Sequence, residues 1–348
     1  MKPYEELTYL GRVRRMRQLA EVALSAYGLS EARFRLVVEA GNTLFRVSAS
    51  GPASAETASE LFEKGQYLLR IHHPRYQSRD EIELELAWLA AMRREADLPV
   101  PEPFPTPDGR LLVQASIAGI PQERNCSLLR WMKGRFATGR IQSHHFRAQG
   151  QLMARLHGFA ARWEPPSGCA KRQYDWEGLF RDDSGAGLRA TEAWRLLPPS
   201  WVEPFESVAH HVRRVMDELG KGPEVYGLIH ADLGVDANVL FWNREARAID
   251  FDDSGFGYWV YDLAVSLEHC REDAAFPRYR DALLDGYTRI RPLPAEHVER
   301  LELFMAAFDV YWSLWAAAVV HLHPERRQSL RMRMGRAVRL VQNYVARC

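Results

Sequence analysis

The alternation of apolar and polar positions divides the chain into a β-rich first third and a mainly helical remainder. Residues 10–27 set Leu19, Val22, Ala23 and Ala26 near helical spacing and end at Gly28, which predicts a first helix. Phe34–Glu39 and Leu44–Ala49 read as strands joined by Ala40-Gly41-Asn42-Thr43. By default that turn is a plain hairpin; alternatively its backbone N–H groups and the Asn and Thr side chains cover a phosphate. The polar stretch Gly51–Gly65 is expected to be a mobile hairpin tip, and a strand follows at Gln66–His72. That strand carries Arg70 among Leu68, Leu69 and Ile71, and a charge buried in such a run is costly unless paired.

A helix over Ser78–Glu95 has the apolar stripe Ile82, Leu86 and Leu89. Glu85 lies three residues after Ile82 and four before Leu89, so it points inward with the stripe. Its natural partner is Arg70; the alternative is a carboxylate solvated at the edge of the stripe. Asp97–Asp108 contains five prolines and is read as an extended connector. The strand Leu111–Gln114 and the departing segment Ala115–Gly119 close the β-rich part.

Further helices are predicted at Ser143–Trp163, Trp201–Leu219, Arg278–Arg289, Ala295–His321 and Glu325–Ala346, with an aromatic-anchored loop at Pro165–Asp183. His157, beside the apolar face of the first of these, reads as a hydrogen-bonded core histidine rather than a ligand. His321 and His323 lack a complementary ligand set nearby, and no metal is read there. The last helix holds Arg326, Arg327, Arg331, Arg333, Arg336, Arg339 and Arg347 against one acid, Glu325, and reads as a solvated basic face ahead of an acid-binding one.

Chemistry concentrates in Tyr226–Asp262. Two short apolar runs, Tyr226–Ile229 and Val239–Trp242, bracket a loop with His230, Asp232, Asp236 and Asn238. A further arm, Ala246–Phe251, follows the turn Asn243-Arg244-Glu245 and delivers Asp250, Asp252 and Asp253. An Asp, Asn and Asp set offers only oxygen ligands, which suits Mg²⁺ bound to phosphates better than zinc.

Composition adds boundaries. The chain has 348 residues, 47% hydrophobic and 26% charged, with a net charge of +1. That is the profile of a globular chain with a substantial core, and its overall field calls for neither nucleic acid nor membrane as partner. No run approaches about 18 uninterrupted apolar residues, and the N-terminus lacks the apolar core of a signal peptide. Cys126, Cys169, Cys270 and Cys348 are scattered, so reduced thiols and a cytoplasmic location are expected.

Taken in order, the Gly41-Asn42 hairpin, the Arg70 strand, the inward Glu85, HADLGVDANVLF, AIDFDD and YDLA resemble the aminoglycoside phosphotransferase and choline kinase branch of the protein-kinase-like fold. The likeness runs from about residue 33 to 320 and is greatest to homoserine-kinase-type small-molecule kinases. It implies an α+β bilobal architecture: a small antiparallel β-rich N-lobe with one key helix over residues 1–118, and a larger helical C-lobe over 119–348. It further implies that Asp232 accepts or orients the proton of an acceptor hydroxyl, while Asn238 and Asp250 hold Mg²⁺ on ATP. Arg70, partnered by Glu85, would contact the α- and β-phosphates, with Gly41, Asn42 and Thr43 as a phosphate-covering turn. Gln114, Ala115, Ser116 and Ile117 would form the adenine hinge; His230 would brace the catalytic loop and Asp262 would bond back to it.

Three departures stand out. Asn238 lies six residues after Asp232 where the family pattern has five, and Ala237 at position five cannot ligate a metal. Arg70 replaces the usual Lys, and DFG becomes DFD, with Asp252 read as a loop cap ahead of an additional acid. The expected function is ATP- and Mg²⁺-dependent phosphoryl transfer to a small-molecule hydroxyl of an aminoglycoside, amino alcohol or sugar-like compound. The alternatives are a Ser/Thr protein kinase of the same fold, which the lack of an APE-like segment disfavours, and a nucleotide-binding pseudokinase or scaffold. For a cationic acceptor, Asp236, Asp252, Asp253, Glu268, Glu272 and Asp273 could furnish an acidic surface.

Overall fold

Burial alternates strictly along β2 (Asn42–Ser48), with Thr43, Phe45 and Val47 inside and their neighbours half-exposed. In the computed structural model, which describes residues 2–49, 59–166, 168, 171–181, 190–320 and 327–347, this strand lies within a five-stranded sheet. Its order is β1 (Arg33–Ala40), β2, β3 (Phe62–Ile71), β5 (Arg124–Met132) and β4 (Leu112–Ala115), with every pair antiparallel. The predicted mobile tip falls largely on residues 50–58, outside the described residues.

Helix α1 (Tyr9–Ala26) buries Met16, Leu19, Ala20, Ala23 and Leu24 in one apolar cluster with Phe45, Val47, Tyr67 and Leu69 of the sheet. Val22, expected in its buried stripe, is instead exposed. Helix α2 (Arg79–Ala96) begins with a capping box: Ser78 Oγ accepts the Glu81 N–H, and the Glu81 carboxylate accepts the Ser78 N–H at 2.8 Å. The proline-rich connector stays extended and borders β5, where Phe104 N donates to Leu128 O and Arg130 N to Glu102 O.

The chain divides into two compact units, Met1–Gly134 with Pro165–Ala170, and Arg135–Glu164 with Lys171–Cys348. The first unit therefore runs to Gly134 rather than to 118. The reason is β5, unpredicted, whose residues pair with both β3 and β4 and cannot leave their sheet. Its burial pattern shows four consecutive buried positions, so no period of two marks it.

The second unit is mainly helical: α3 (Ser143–Ala160), α4 (Trp176–Phe180), α5 (Ala190–Leu196), α6 (Pro199–Leu219), α7 (Trp259–Glu268), α8 (Phe276–Thr288), α9 (Ala295–Glu299), α10 (Leu301–Val319) and α11 (Arg327–Val345). The single helix expected over Ala295–His321 is two, divided at Arg300, while His321 and His323 lie outside the described residues. Helix α7 escaped prediction because all ten of its residues are buried, which leaves no polar face to set a helical period. Helices α3 and α8 meet backbone to backbone: a Cβ on Gly150 would stand 2.0 Å from Leu283 O, and one on Gly286 2.1 Å from Arg147 O. Helix α10 is long and apolar enough to cross a membrane, yet 78% of that window is buried inside the fold, as befits a core helix.

Two small sheets serve the loops of this unit. One is β6 (Gln173–Tyr174), β10 (Gly255–Tyr258) and β7 (Tyr226–Ile229), and the other is the hairpin β8 (Val239–Trp242) with β9 (Glu245–Ala248). The hairpin turns on Asn243 and Arg244, both left-handed at φ 49° and 67°, the requirement of a two-residue type I′ turn.

Candidate active site

The loop after β7 is held from below by one buried carboxylate. Asp262, in the first turn of α7, accepts the Ala231 N–H at 2.8 Å through Oδ1 and the His230 N–H at 3.4 Å through Oδ2. Its Oδ2 also meets His157 Nε2 at 2.9 Å, and His157 Nδ1 meets the Tyr287 hydroxyl at 2.9 Å. Burial pushes the His157 pKa below its ordinary value, against the pull of Asp262. A neutral ring satisfies both contacts only if Nε2–H donates to Asp262 and Nδ1 accepts from Tyr287. His157 is thus the hydrogen-bonded core histidine its position predicted. His230, also buried, sets Nε2 at 3.0 Å from Ile249 O and so ties the loop to the strand end before Asp250.

Ala231 is left-handed at φ 65°, an unfavourable backbone for a residue with a Cβ, and the bond to Asp262 holds it there. Directly after it comes Asp232. Buried Gln149 of α3 donates to Leu233 O at 2.6 Å, fixing the next residue as well. Gly234 O then accepts N–H groups from both Ala237 and Asn238, each at 3.1 Å. This closed turn absorbs the additional residue. Asn238 Nδ2 consequently donates to Asp232 twice, to its main-chain O and to its Oδ2, both at 2.8 Å.

Asn238 O accepts the Ile249 N–H at 3.0 Å, which sets the base of β8 against the residue before Asp250. Asp250 is itself left-handed at φ 65°. Asp253 is anchored by Arg172 at 2.7 Å, and Tyr174 OH donates to its carbonyl. Burial pushes the Asp232 pKa well above the ordinary carboxylate range, and the nearby Asp253 and Asp250 charges raise it further. Arg333 and the Asn238 hydrogen bond act in the opposite direction.

Among the described residues, no three or more His, Cys, Asp or Glu side chains converge as a metal cage. The site offers a smaller oxygen set. With Nδ2 of Asn238 committed to Asp232, its Oδ1 remains as an acceptor, and its main chain is bonded to Ile249, the residue before Asp250, whose carboxylate could be the second ligand. One amide oxygen and one carboxylate fit a hard cation that takes its remaining ligands from phosphate and water.

In the first unit, Gly41 is left-handed at φ 78° and makes a one-residue turn, since Ala40 already pairs with Asn42 and Glu39 with Thr43. Asn42 Oδ1 accepts the His73 N–H at 2.9 Å, and Thr43 is buried opposite Ile71. Arg70 and Glu85 are 2% and 1% exposed and pair at 2.9 Å, with Gln77 on the second carboxylate oxygen at 3.3 Å. Gln114 is exposed on β4 and accepts from Arg79 at 3.1 Å; Ala115 ends the strand buried, and Ser116 and Ile117 follow it.

Two sequence expectations about charge are corrected. The C-terminal arginines are not simply a solvated face: Arg336 bonds Glu268 and, at 2.6 Å, Glu272, while Arg333 reaches Glu268 at 3.4 Å. Glu268 is 1% exposed and does not contribute to an acidic surface, while the half-exposed Glu272 is paired with Arg336. Gln149 and Arg172 were not foreseen. For Gln149 the signal was a polar residue three positions after Phe146 and three before Leu152, on the apolar face of α3.

An antiparallel sheet with one paired helix and a helical unit bearing the Asp232 loop define a protein-kinase-like phosphotransferase. Residues 49–301 match the phosphotransferase enzyme family APH, and the chain belongs to that family. It is accordingly a kinase with a small-molecule hydroxyl as acceptor. Among curated relatives, homoserine kinase of Sinorhizobium medicae is 26% identical over 78% of each chain. A microcompartment-associated aminopropanol kinase is 27% identical with a TM-score of 0.75, over 95% of this chain and 98% of the other. Amicoumacin kinase, solved with AMP-PNP and Ca²⁺, shares the fold at 18% identity and a TM-score of 0.72, over 97% and 96% of the two chains.

Proposed function

We propose that the chain transfers the γ-phosphoryl group of ATP to a hydroxyl of a small amino alcohol, hydroxy acid or sugar-like compound, with Mg²⁺ as the metal. The observation that carries this reading is the double hydrogen bond from Asn238 to Asp232. It sets the carboxylate in a fixed orientation at the loop and leaves the Asn238 amide oxygen to serve as a ligand. In the reaction, Asp232 orients the acceptor hydroxyl and takes its proton as the oxygen attacks phosphorus; its raised proton affinity suits that step. Asn238 and Asp250 would hold the cation, which when bound neutralises charge on the phosphate oxygens.

The nucleotide residues of this reading lie in the first unit. Arg70, fixed by Glu85, is assigned to the phosphates, and the Gly41-Asn42-Thr43 turn to covering them. The main chain of Gln114, Ala115, Ser116 and Ile117 is assigned to the adenine edge. The amicoumacin kinase complex with AMP-PNP and Ca²⁺ supports a nucleotide and a divalent cation. The homoserine and aminopropanol kinases favour a compact acceptor, as does the engagement of Glu268 and Glu272 by arginine. Free Cys126 and Cys270 agree with a cytoplasmic enzyme.

A panel of hydroxylated metabolites and antibiotics incubated with Mg-ATP, scored by the mass gain of one phosphate, tests the reading. One class of compound should gain phosphate, and Asp232→Ala should remove turnover while Mg-ATP binding persists. ATP binding indifferent to Mg²⁺ and to Asp250→Ala would refute the metal assignment.

A further inference from the structure

Arg333 of α11 is held unlike the other arginines of its network. Arg271 pairs with buried Asp309 at 3.1 Å and is itself nearly buried. Arg336 bonds the Glu268 carboxylate, the Glu268 main-chain O at 3.0 Å and Glu272 at 2.6 Å. Arg333 makes a single long bond, Nη2 to Glu268 at 3.4 Å, to a carboxylate that Arg336 already neutralises. Its guanidinium carbon lies 4.0 Å from the centroid of the half-buried Trp312 ring, a cation–π contact. The side chain keeps 31% of its surface exposed, so donors remain for a ligand.

This held cation is tied to the loop that carries Asp232 through Glu268, whose Oε2 it shares with His269. His269, which shares the Glu268 contact, lies against the catalytic loop: a Cβ on Gly234 would be 3.8 Å from its Cδ2. The other arginine near the loop, Arg172, is taken by Asp253 at 2.7 Å.

Building on the kinase reading above, we infer that the acceptor is an alcohol bearing a carboxylate, which the Arg333 fork grips while Trp312 stacks beneath the fork and Asp232 addresses the hydroxyl. A planar guanidinium matches a carboxylate with two parallel hydrogen bonds, and the donors that Arg333 keeps beside its single Glu268 bond suit one negative charge. The reaction stays balanced: the alcohol oxygen bonds to the γ-phosphorus, the bond to ADP breaks, and the hydroxyl proton passes to Asp232. The products are a phosphorylated hydroxy acid and ADP.

Acceptor pairs that differ only in the carboxylate test this: homoserine against straight-chain aminopropanol, and serine against ethanolamine, each with Mg-ATP and phosphate gain read by mass. The hydroxy acid of at least one pair should be preferred in kcat/KM by about tenfold or more. Arg333→Gln should raise KM for that acid about 10- to 100-fold, with Arg333→Lys between it and the parent, while KM for ATP holds. Thermal melts of both variants separate this from misfolding. A saturation-transfer signal for the acid on the unmodified protein, lost on adding excess 2-aminobutyrate, is expected independently of any variant. Phosphorylation of the amino alcohols alone would overturn the inference and leave the kinase reading standing. No phosphate gain on any hydroxy acid overturns it equally, and Mg-ATP binding then decides whether the kinase reading falls with it. An equal loss for acid and amino alcohol in Arg333→Gln would also overturn it.

Discussion

Asn238 Nδ2 donates to the main-chain oxygen and to the carboxylate of Asp232, both at 2.8 Å. Asn238 lies six positions after Asp232, one more than the spacing the resemblance implied, and the turn on Gly234 O makes the longer path close. Asn238→Ala removes the clamp and the side-chain amide oxygen together. A fall in kcat of about 100-fold is expected, the usual cost of misplacing a reacting group by about 1 Å. The Mg²⁺ concentration for half-activation should rise as well, and a metal titration of parent and variant reads both effects.

Asp262 supports the loop from α7. Replacing it with Ala leaves the N–H groups of His230 and Ala231 and the ring of His157 without their acceptor in a buried place. Each unsatisfied buried group costs about 1–3 kcal/mol. Asp262→Ala should therefore lose at least about 3 kcal/mol in urea unfolding, provided two-state behaviour is verified.

Arg70 and Glu85 form a buried ion pair at 2.9 Å. Arg70→Ala strands the Glu85 carboxylate and should cost about 3–5 kcal/mol. Arg70→Lys keeps the charge but not the fork, so a smaller stability loss with a raised KM for ATP is expected. Denaturation and steady-state kinetics on the two variants distinguish pairing from phosphate contact.

His157 gives stability a pH dependence. Burial depresses its folded pKa below the ordinary 6.5. Above about pH 6.5 both folded and unfolded forms are neutral there and its contribution is complete. As pH falls below that value the unfolded chain binds a proton that the folded chain refuses, so stability drops by at most about 1.4 kcal/mol per pH unit until the folded pKa is reached. Urea midpoints between about pH 7.5 and 5, on the parent and His157→Gln, should show the shallower slope in the variant.

Helices α3 and α8 depend on glycine at their contact. Alanine is the better helix former by about 1 kcal/mol, yet a Cβ at Gly150 would meet Leu283 O at 2.0 Å. The clash wins: Gly150→Ala should lower stability by about 1–3 kcal/mol or more, seen as a reduced melting temperature.

Much of this was legible in sequence because local patterns carried it. The inward spacing of Glu85 pointed to Arg70, and the Asn243-Arg244 turn marked the β8–β9 hairpin. What stayed hidden lacked a local period or depended on distant partners. Helix α7 is buried on all sides, and β5 takes its identity from the strands beside it. Arg333 and Glu268 looked like a basic face and an acidic surface until α11 and α7 were seen to neutralise each other. The closing of the longer Asp232–Asn238 spacing rests on main-chain bonds to Gly234 O that no residue type announces.

The central claim is that Asp232 works in phosphoryl transfer to a small-molecule alcohol. Single-turnover transfer from γ-labelled ATP to the best acceptor of the panel, in the parent and in Asp232→Asn, tests it most directly. The predicted result is a phosphate ester formed by the parent and a rate lowered by about 100-fold or more in the variant, with ATP affinity retained. Equal rates in the two proteins would contradict it.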